Sequence, residues 1–182
     1  MGVPYSETNA DLRLLPIATI YQARSAYNNQ LNNGGTTNTE VVESDNPYGV
    51  SILDTDWRKY SSWISEINTS ASRYTHSNNG PTVLKAGYYK VTVNLQMRST
   101  VDRTAVAFRF AINDTMIGPV GCAGPTSAAG STNILGMQGT ITHIFSCEDN
   151  DTISVYTSRM GATGNVQTRD RSSLHVEWLG AI

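Results

Sequence analysis

The chain has 182 residues, of which 15 % are charged, and a net charge of −2 at pH 7. This length fits one domain with an appendage, and the scattered basic residues exclude the basic stripe that nucleic-acid-binding proteins carry. No apolar run approaches the roughly 20 residues that a membrane-spanning helix needs, and the first residues lack the basic and apolar regions of a secretory signal.

The first part of the chain is predicted to be an arm followed by a linker. Apolar residues are concentrated between positions 11 and 21, where Pro16 argues against one continuous helix. A short helix after Pro16 and an extended arm both fit this pattern. Residues 28–39 are rich in Asn, Gly and Thr, which is typical of a flexible linker. We therefore predict an arm and linker over residues 1–50 and one folded domain over residues 51–182.

The folded domain shows the alternation of β-strands. After Gly87, alternate positions carry the apolar residues Tyr89, Val91, Val93, Leu95 and Met97. This pattern predicts a strand with one buried and one polar face. Residues 105–112 repeat it, and shorter runs follow at 139–147, 152–159 and 173–179. Because no segment of helical period separates these runs, the fold class is all-β, an antiparallel β-sandwich or jelly roll.

Residues that carry chemistry do not form a catalytic pattern. His76, His143 and His175 are far apart in the sequence and lack metal-binding spacings, and no nucleophile or phosphate-loop motif is present. We therefore predict a protein that is not an enzyme and needs no cofactor or metal. The acidic turn Glu148–Asp151 is compatible with a Ca²⁺ site or with turn geometry alone.

Two further features leave alternatives open. Cys122 and Cys147 are compatible with a disulfide or with two free, buried thiols. Trp57 and Trp63 either pack beneath the sandwich or offer an aromatic surface for a carbohydrate.

Four segments resemble proteins of the C1q/TNF-like jelly-roll family. They are Ala86–Val91, Phe108–Asn113, the turn at Asp149–Asp151 with the strand after it, and Ser173–Gly180. The family shows a Gly-aromatic strand start, a strand ending in Asn-Gly, an acidic turn entering a strand, and a closing C-terminal strand. This chain lacks the usual glycine after Asn113. The resemblance covers roughly residues 57–182 and implies a ten-strand sandwich that assembles as a homotrimer.

The resemblance also implies a role, because bacteriophage head fibres and capsid decoration proteins use similar domains. We expect a structural virion protein on the capsid surface, attached to the major capsid protein or another virion protein. The arm residues expected to make this attachment are Leu12, Leu14, Leu15, Ile17, Ile20 and Tyr21. The alternative is a receptor-binding tip that recognises a host surface glycan or protein through loops 119–132 and 161–171.

The resemblance further implies which sheet faces the partner subunits. It is the sheet holding the strands at 88–98, 152–159 and 173–179, and the odd-numbered side of the first strand fills the core. The residues expected at subunit contacts are Tyr88, Thr92, Asn94, Tyr156 and His175. The alternative is that these side chains are only solvated.

Overall fold

The structure is a computed structural model that describes residues 19–25, 57–60, 63–99, 104–123, 136–161, 166–168 and 172–182. Within these ranges the chain forms twelve strands and no helix. The strands are β1 (Ile20–Ser25), β2 (Arg58–Lys59), β3 (Trp63–Asn68), β4 (Tyr74–Ser77), β5 (Gly80–Val83), β6 (Gly87–Ser99), β7 (Thr104–Ile112), β8 (Thr115–Ala123), β9 (Gly136–Cys147), β10 (Ile153–Gly161), β11 (Val166–Thr168) and β12 (Ser173–Gly180).

The strands form two antiparallel sheets and a hairpin. In the first sheet, β6 pairs with β9 on one edge and with β12 and β11 on the other, and β12 leads on to β1 and β3. The second sheet has the order β2-β10-β7-β8, and β4 pairs with β5. This arrangement confirms the predicted all-β antiparallel sandwich.

The core lies between the two sheets and follows the predicted alternation. On β6, Tyr89, Val91, Val93 and Leu95 are fully buried. The second sheet meets them with buried residues of β7 and β10, namely Val106, Phe108, Phe110, Ile153 and Val155. Each fully buried side chain of this size contributes about 1.5–3 kcal/mol, so this face of β6 is a large stabilising term.

One predicted boundary needs correction. β1 pairs with β12 through Tyr21↔Val176 and with β3, and the side chains of Tyr21 and Ala23 are fully buried in the core. Residues 20–25 therefore belong to the jelly roll and not to a separate arm that ends near residue 50. The partner strand β12 lies at the other end of the chain, a pairing that local sequence does not encode.

Three buried tyrosines cluster where β1, β4 and β6 meet. The Tyr74 hydroxyl donates to the Thr19 carbonyl oxygen at 2.7 Å, and the Tyr89 hydroxyl donates to the Lys85 carbonyl oxygen at 2.5 Å. The rings of Tyr74 and Tyr89 meet edge to face, with centroids 6.2 Å apart. Loss of water on burial raises the pKa of Tyr21, Tyr74 and Tyr89 above the ordinary tyrosine value.

The β7–β8 hairpin explains why the family's glycine is dispensable here. Asn113 and Asp114 have φ of 49° and 67°, as a two-residue type I′ turn requires, and short polar side chains tolerate this region. The side-chain Nδ2 of Asn113 donates to Asp151 Oδ1 at 2.6 Å, and the side-chain Oδ1 of Asn113 accepts from the backbone N–H of Thr152 at 2.9 Å. These two hydrogen bonds join the β7–β8 hairpin to the acidic turn.

The acidic turn uses its carboxylates to hold the backbone. Asp151 Oδ2 accepts from the Glu148 amide at 2.7 Å, and Asp149 Oδ1 accepts from the Ala86 amide at 2.5 Å. Across the described ranges, no group of three or more His, Cys, Asp or Glu side chains is placed to hold a metal ion. These contacts favour turn geometry as the reason for the acidic residues.

The two cysteines are not joined. Cys122 on β8 is exposed, Cys147 on β9 is buried, and both are free thiols. Burial raises the pKa of Cys147 to about 12, and the nearby carboxylates of Asp151 and Glu148 act in the same direction. Cys147 is therefore an unreactive part of the core.

The buried tyrosines predict a loss of stability at alkaline pH. A folded-state pKa above the unfolded value of about 10 means that this stabilisation is complete below pH ~10 and declines as the pH rises further. We expect the free energy of unfolding, measured by urea titration, to fall from about pH 10 upward. The free energy of unfolding should fall less steeply with pH in Tyr74→Phe, which lacks one of the three buried hydroxyls. Equal slopes in the two proteins would contradict the assignment to this cluster.

The hairpin contact predicts that Asn113→Ala destabilises the fold by about 2–3 kcal/mol. The variant loses both side-chain hydrogen bonds and places a Cβ-bearing residue without a polar side chain at positive φ. Asp114→Gly is the matched control, since glycine accepts positive φ and the Asp114 side chain that is lost from the ion pair with Lys59 is 58 % exposed. Urea denaturation should show a change within about 0.5 kcal/mol for this control.

Candidate functional site

The face of the first sheet that points away from the core is the candidate site, and we call it the outer face. Because Tyr89, Val91 and Val93 point inward on β6, the even-numbered residues project from the opposite side. They include Tyr88, Thr92 and Asn94. Strands β9, β12, β1 and β3 extend this face on both sides of β6.

The middle of the outer face is polar and mostly uncharged. Thr92 lies opposite Thr142 of β9 and opposite His175 of β12, and the two threonine hydroxyls are 2.9 Å apart. Further along β12, His175 lies opposite Gln22 of β1. A row of hydroxyl, amide and imidazole groups therefore crosses four neighbouring strands.

Exposed apolar side chains flank this polar row on both sides. On one side, Tyr88 and Ile144 are 47 % and 53 % exposed, and we call them the β9 patch. On the other side, Ile64 and Ile67 of β3 are 40 % and 45 % exposed, and we call them the β3 patch. Four strand spacings of about 4.8 Å separate β9 from β3, so the two patches lie roughly 19 Å apart.

Register places these side chains on the outer face. Ile144 lies directly opposite Lys90, while Ile67 lies opposite Gln22. A comparably exposed side chain, Val120 at 52 %, lies on β8 in the second sheet. Exposed isoleucines therefore lie at both margins of the outer face.

Charges on the outer face occur as neighbouring pairs. Lys90 Nζ lies 3.6 Å from Glu177 Oε2, and Arg24 Nε lies 2.7 Å from Glu66 Oε1. Such exposed pairs contribute little to stability. They do keep these parts of the face close to neutral, which lowers the cost of covering them with another surface.

The structure brings together four of the five side chains predicted at subunit contacts. Tyr88, Thr92, Asn94 and His175 share the outer face. Tyr156 does not, and its predicted placement is wrong, because β10 pairs with β7 and β2 in the second sheet. Strand alternation gives the phase of a strand but not the sheet to which it belongs, which is why the sequence could not separate β10 from β6.

Tyr156 instead belongs to a small polar cluster on the second sheet. Its ring lies 5.9 Å from the Lys59 ammonium, which also forms an ion pair with Asp114. The hydrogen bond from Lys59 holds the pKa of Asp114 below its ordinary value, and desolvation raises the pKa of Tyr156. This cluster joins β2 to the β7–β8 hairpin.

Sequence reasoning missed the residues of both patches apart from Tyr88. Ile144 lies between the inward-facing His143 and Phe145, at a position where strand alternation predicts a polar, outward-facing residue. An apolar residue at this position was the sequence feature that could have indicated the patch. Ile64 and Ile67 carried no such signal, because the strand phase of β3 is set by its pairing with β1.

The arm residues have different positions. Tyr21 is fully buried in the core and Ile20 is partly buried at the start of β1, so Tyr21 is not available to a partner. Leu12, Leu14, Leu15 and Ile17 lie outside the described residues. Trp57 and Trp63 are buried, at 7 % and 0 % exposure, and offer no open surface to a carbohydrate.

Among the described residues, no helix is long and apolar enough to cross a bilayer.

Solved structures similar to this chain are TNF-family jelly rolls. The Eiger TNF of S. frugiperda matches with a TM-score of 0.57 and 13 % identity, over 91 % of this chain and 94 % of that one. Murine APRIL at pH 5.0 matches with a TM-score of 0.54 and 10 % identity, over 89 % of this chain and 99 % of that one. At this identity the likeness shows the fold alone, which is the TNF-like jelly roll.

No protein-family model matches the sequence, and no curated protein matches it either.

Proposed function

We propose that this chain is a non-enzymatic structural protein that assembles into a homotrimer through the outer face of the first sheet. The observation that carries the proposal is the concentration of exposed apolar side chains at the two margins of that face. Ile144 of β9 lies at one margin, with Tyr88 on the neighbouring strand β6, while Ile64 and Ile67 of β3 lie at the other. Exposed apolar patches rimmed by polar residues mark surfaces that bind other proteins.

The positions of the two patches favour a ring. If the β9 patch of one subunit contacts the β3 patch of the next, an open chain of subunits still presents one free patch of each kind at its ends. Only closure of the ring covers them all. The number three comes from the resemblance to the C1q/TNF-like family, and the TNF-like fold is consistent with it.

The polar row suits the middle of such an assembly. Thr92, Thr142 and Asn94 offer hydrogen-bonding groups without a net charge, so burying them costs less than burying an unpaired ion. The half-exposed isoleucines at the margins would each contribute about 1 kcal/mol when covered, since part of their surface is already buried. The face therefore resembles a protein interface with apolar and polar parts.

We further propose that the trimer decorates a virion, with residues before β1 as its attachment to the capsid. This part rests on the resemblance and on the apolar residues Leu12, Leu14, Leu15 and Ile17. The entry into β1 supports it, because the Ile20 amide donates to Thr69 Oγ1 at 2.8 Å and fixes where an arm would leave the domain. Buried contact between arm and shell would stabilise both partners by mass action.

The assembly proposal predicts that Ile144→Asp separates the subunits. Placing a carboxylate in the β9 patch removes apolar contact and adds an uncompensated charge, so subunit affinity should fall by more than about tenfold. Sizing with light scattering should give three times the 19.8 kDa chain mass for the unaltered protein and a smaller mass for the variant.

Val120→Asp is the matched control for this measurement. Its side chain is 52 % exposed, against 53 % for Ile144, but it lies on β8 in the second sheet. It should leave the assembly mass unchanged. A monomeric unaltered protein, or equal behaviour of the two variants, would rule out assembly through the outer face.

The virion proposal predicts that deletion of residues 1–18 abolishes capsid binding while the trimer persists. The cut leaves β1 in place, whereas a longer deletion would remove a core strand. Capsid reconstructions with the full chain should show density on the shell, and reconstructions with the shortened chain should not. Unchanged shell binding by the shortened chain would exclude the arm as the anchor, and retained binding to host cells would favour the receptor-tip alternative.

A further inference from the structure

A buried tyrosine meets an exposed histidine beside the start of β1. Tyr21 Oη lies 2.5 Å from Nδ1 of His76, and the two rings stack at 24° with centroids 6.0 Å apart. Tyr21 has no exposed surface, while His76 is exposed on β4. The pair therefore links the protein core to an exposed imidazole.

Donation by the Tyr21 hydroxyl to Nδ1 uses the His76 tautomer that carries its proton on Nε2. A buried hydroxyl must donate its proton to an acceptor, and among the described residues His76 Nδ1 is the acceptor that the structure gives to Tyr21. A protonated imidazole has two donors and no acceptor. Protonation of His76 would place a proton on Nδ1, so the Tyr21 oxygen could still accept from it, but the Tyr21 proton would lose its acceptor.

The contact lies where the chain enters the jelly roll. The Thr19 carbonyl oxygen accepts from the Tyr74 hydroxyl at 2.7 Å and from the Trp178 amide at 3.2 Å. The Ile20 carbonyl oxygen accepts from the Thr69 amide at 3.0 Å. The backbone at the start of β1 is therefore hydrogen-bonded to β12, to β4 and to the segment between β3 and β4. The Tyr21–His76 contact is the next interaction along β1.

We propose that the Tyr21–His76 hydrogen bond is acid-sensitive and holds β4 against the start of β1. Histidine changes its charge between about pH 5 and 8. When His76 is neutral, the buried Tyr21 hydroxyl has an acceptor, and the hydrogen bond holds β4 against the start of β1. With protonated His76 the buried Tyr21 proton has no acceptor, which destabilises the contact and weakens the hold of β4 on the start of β1.

Charges on the neighbouring elements do not offset this effect. The ionisable groups of β1 are Tyr21 and Arg24, and β3 carries Glu66, whose carboxylate is held by Arg24 at 2.7 Å. β5 has none, and on β4 itself Tyr74 donates to a backbone carbonyl. Arg73, just before β4, stacks on Trp178 at 3.8 Å. Within the described ranges no carboxylate forms an ion pair with His76 that would stabilise its charged form.

The test compares thermal unfolding of the full chain at about pH 7.5 and about pH 5, across the histidine range. His76→Gln keeps a side-chain acceptor but cannot gain a charge. Between the two pH values, the melting temperature of the unaltered protein should fall by about 2–5 °C more than that of His76→Gln. An equal fall in both proteins would overturn the proposal.

Two tyrosine variants locate the effect. Tyr21→Phe keeps the ring stack but lacks the hydroxyl, so it should melt lower at pH ~7.5 and lose the extra fall on acidification. Tyr74→Phe removes a buried hydroxyl whose acceptor is a carbonyl that does not titrate, so it should retain the extra fall. If Tyr21→Phe also retains the full additional fall in melting temperature, the acid sensitivity does not come from this hydrogen bond and the proposal fails.

Discussion

The burial of one face of β6 against the second sheet is the constraint on which the rest of the structure depends. Tyr89, Val91, Val93 and Leu95 are fully buried, and β6 pairs along most of its length with β9 on one edge and β12 on the other. Because strand side chains alternate, fixing these residues inside forces Tyr88, Thr92 and Asn94 outside. A register shift of one residue would exchange the core and the outer face.

The same constraint separates the two ends of the outer face. With β6 and β12 in the middle, β9 and β3 become the margins of the first sheet, and their isoleucines lie on opposite sides of a polar row. In the proposed assembly, a neighbouring copy would cover these apolar margins. The position of β1 matters equally, because it joins β12 to β3 and brings the chain entry beside the tyrosine cluster.

How far an element can be predicted from the sequence depends on how far apart its interacting residues lie in the chain. The alternation at 88–97 and 105–112 was sufficient to predict the strands, the inward side chains and the antiparallel sandwich. Tyr156 was assigned to the wrong sheet, because alternation looks identical in either sheet. β1 was assigned to an arm, since its partners are at residues 63–68 and 173–177 and its buried Tyr21 and Ala23 are too few to show a period.

The sequence by itself therefore determined the local properties of this protein. Period-two patterns set the strands and the phase of Tyr88, Thr92, Asn94 and His175, and Asn113-Asp114 set a turn at positive φ. Tertiary structure alone decided which strands share a sheet, where Ile144, Ile64 and Ile67 gather, and that Tyr21 meets His76. The physical reason is that strand pairing joins residues far apart in the chain, and its energy comes from burial that no single segment contains.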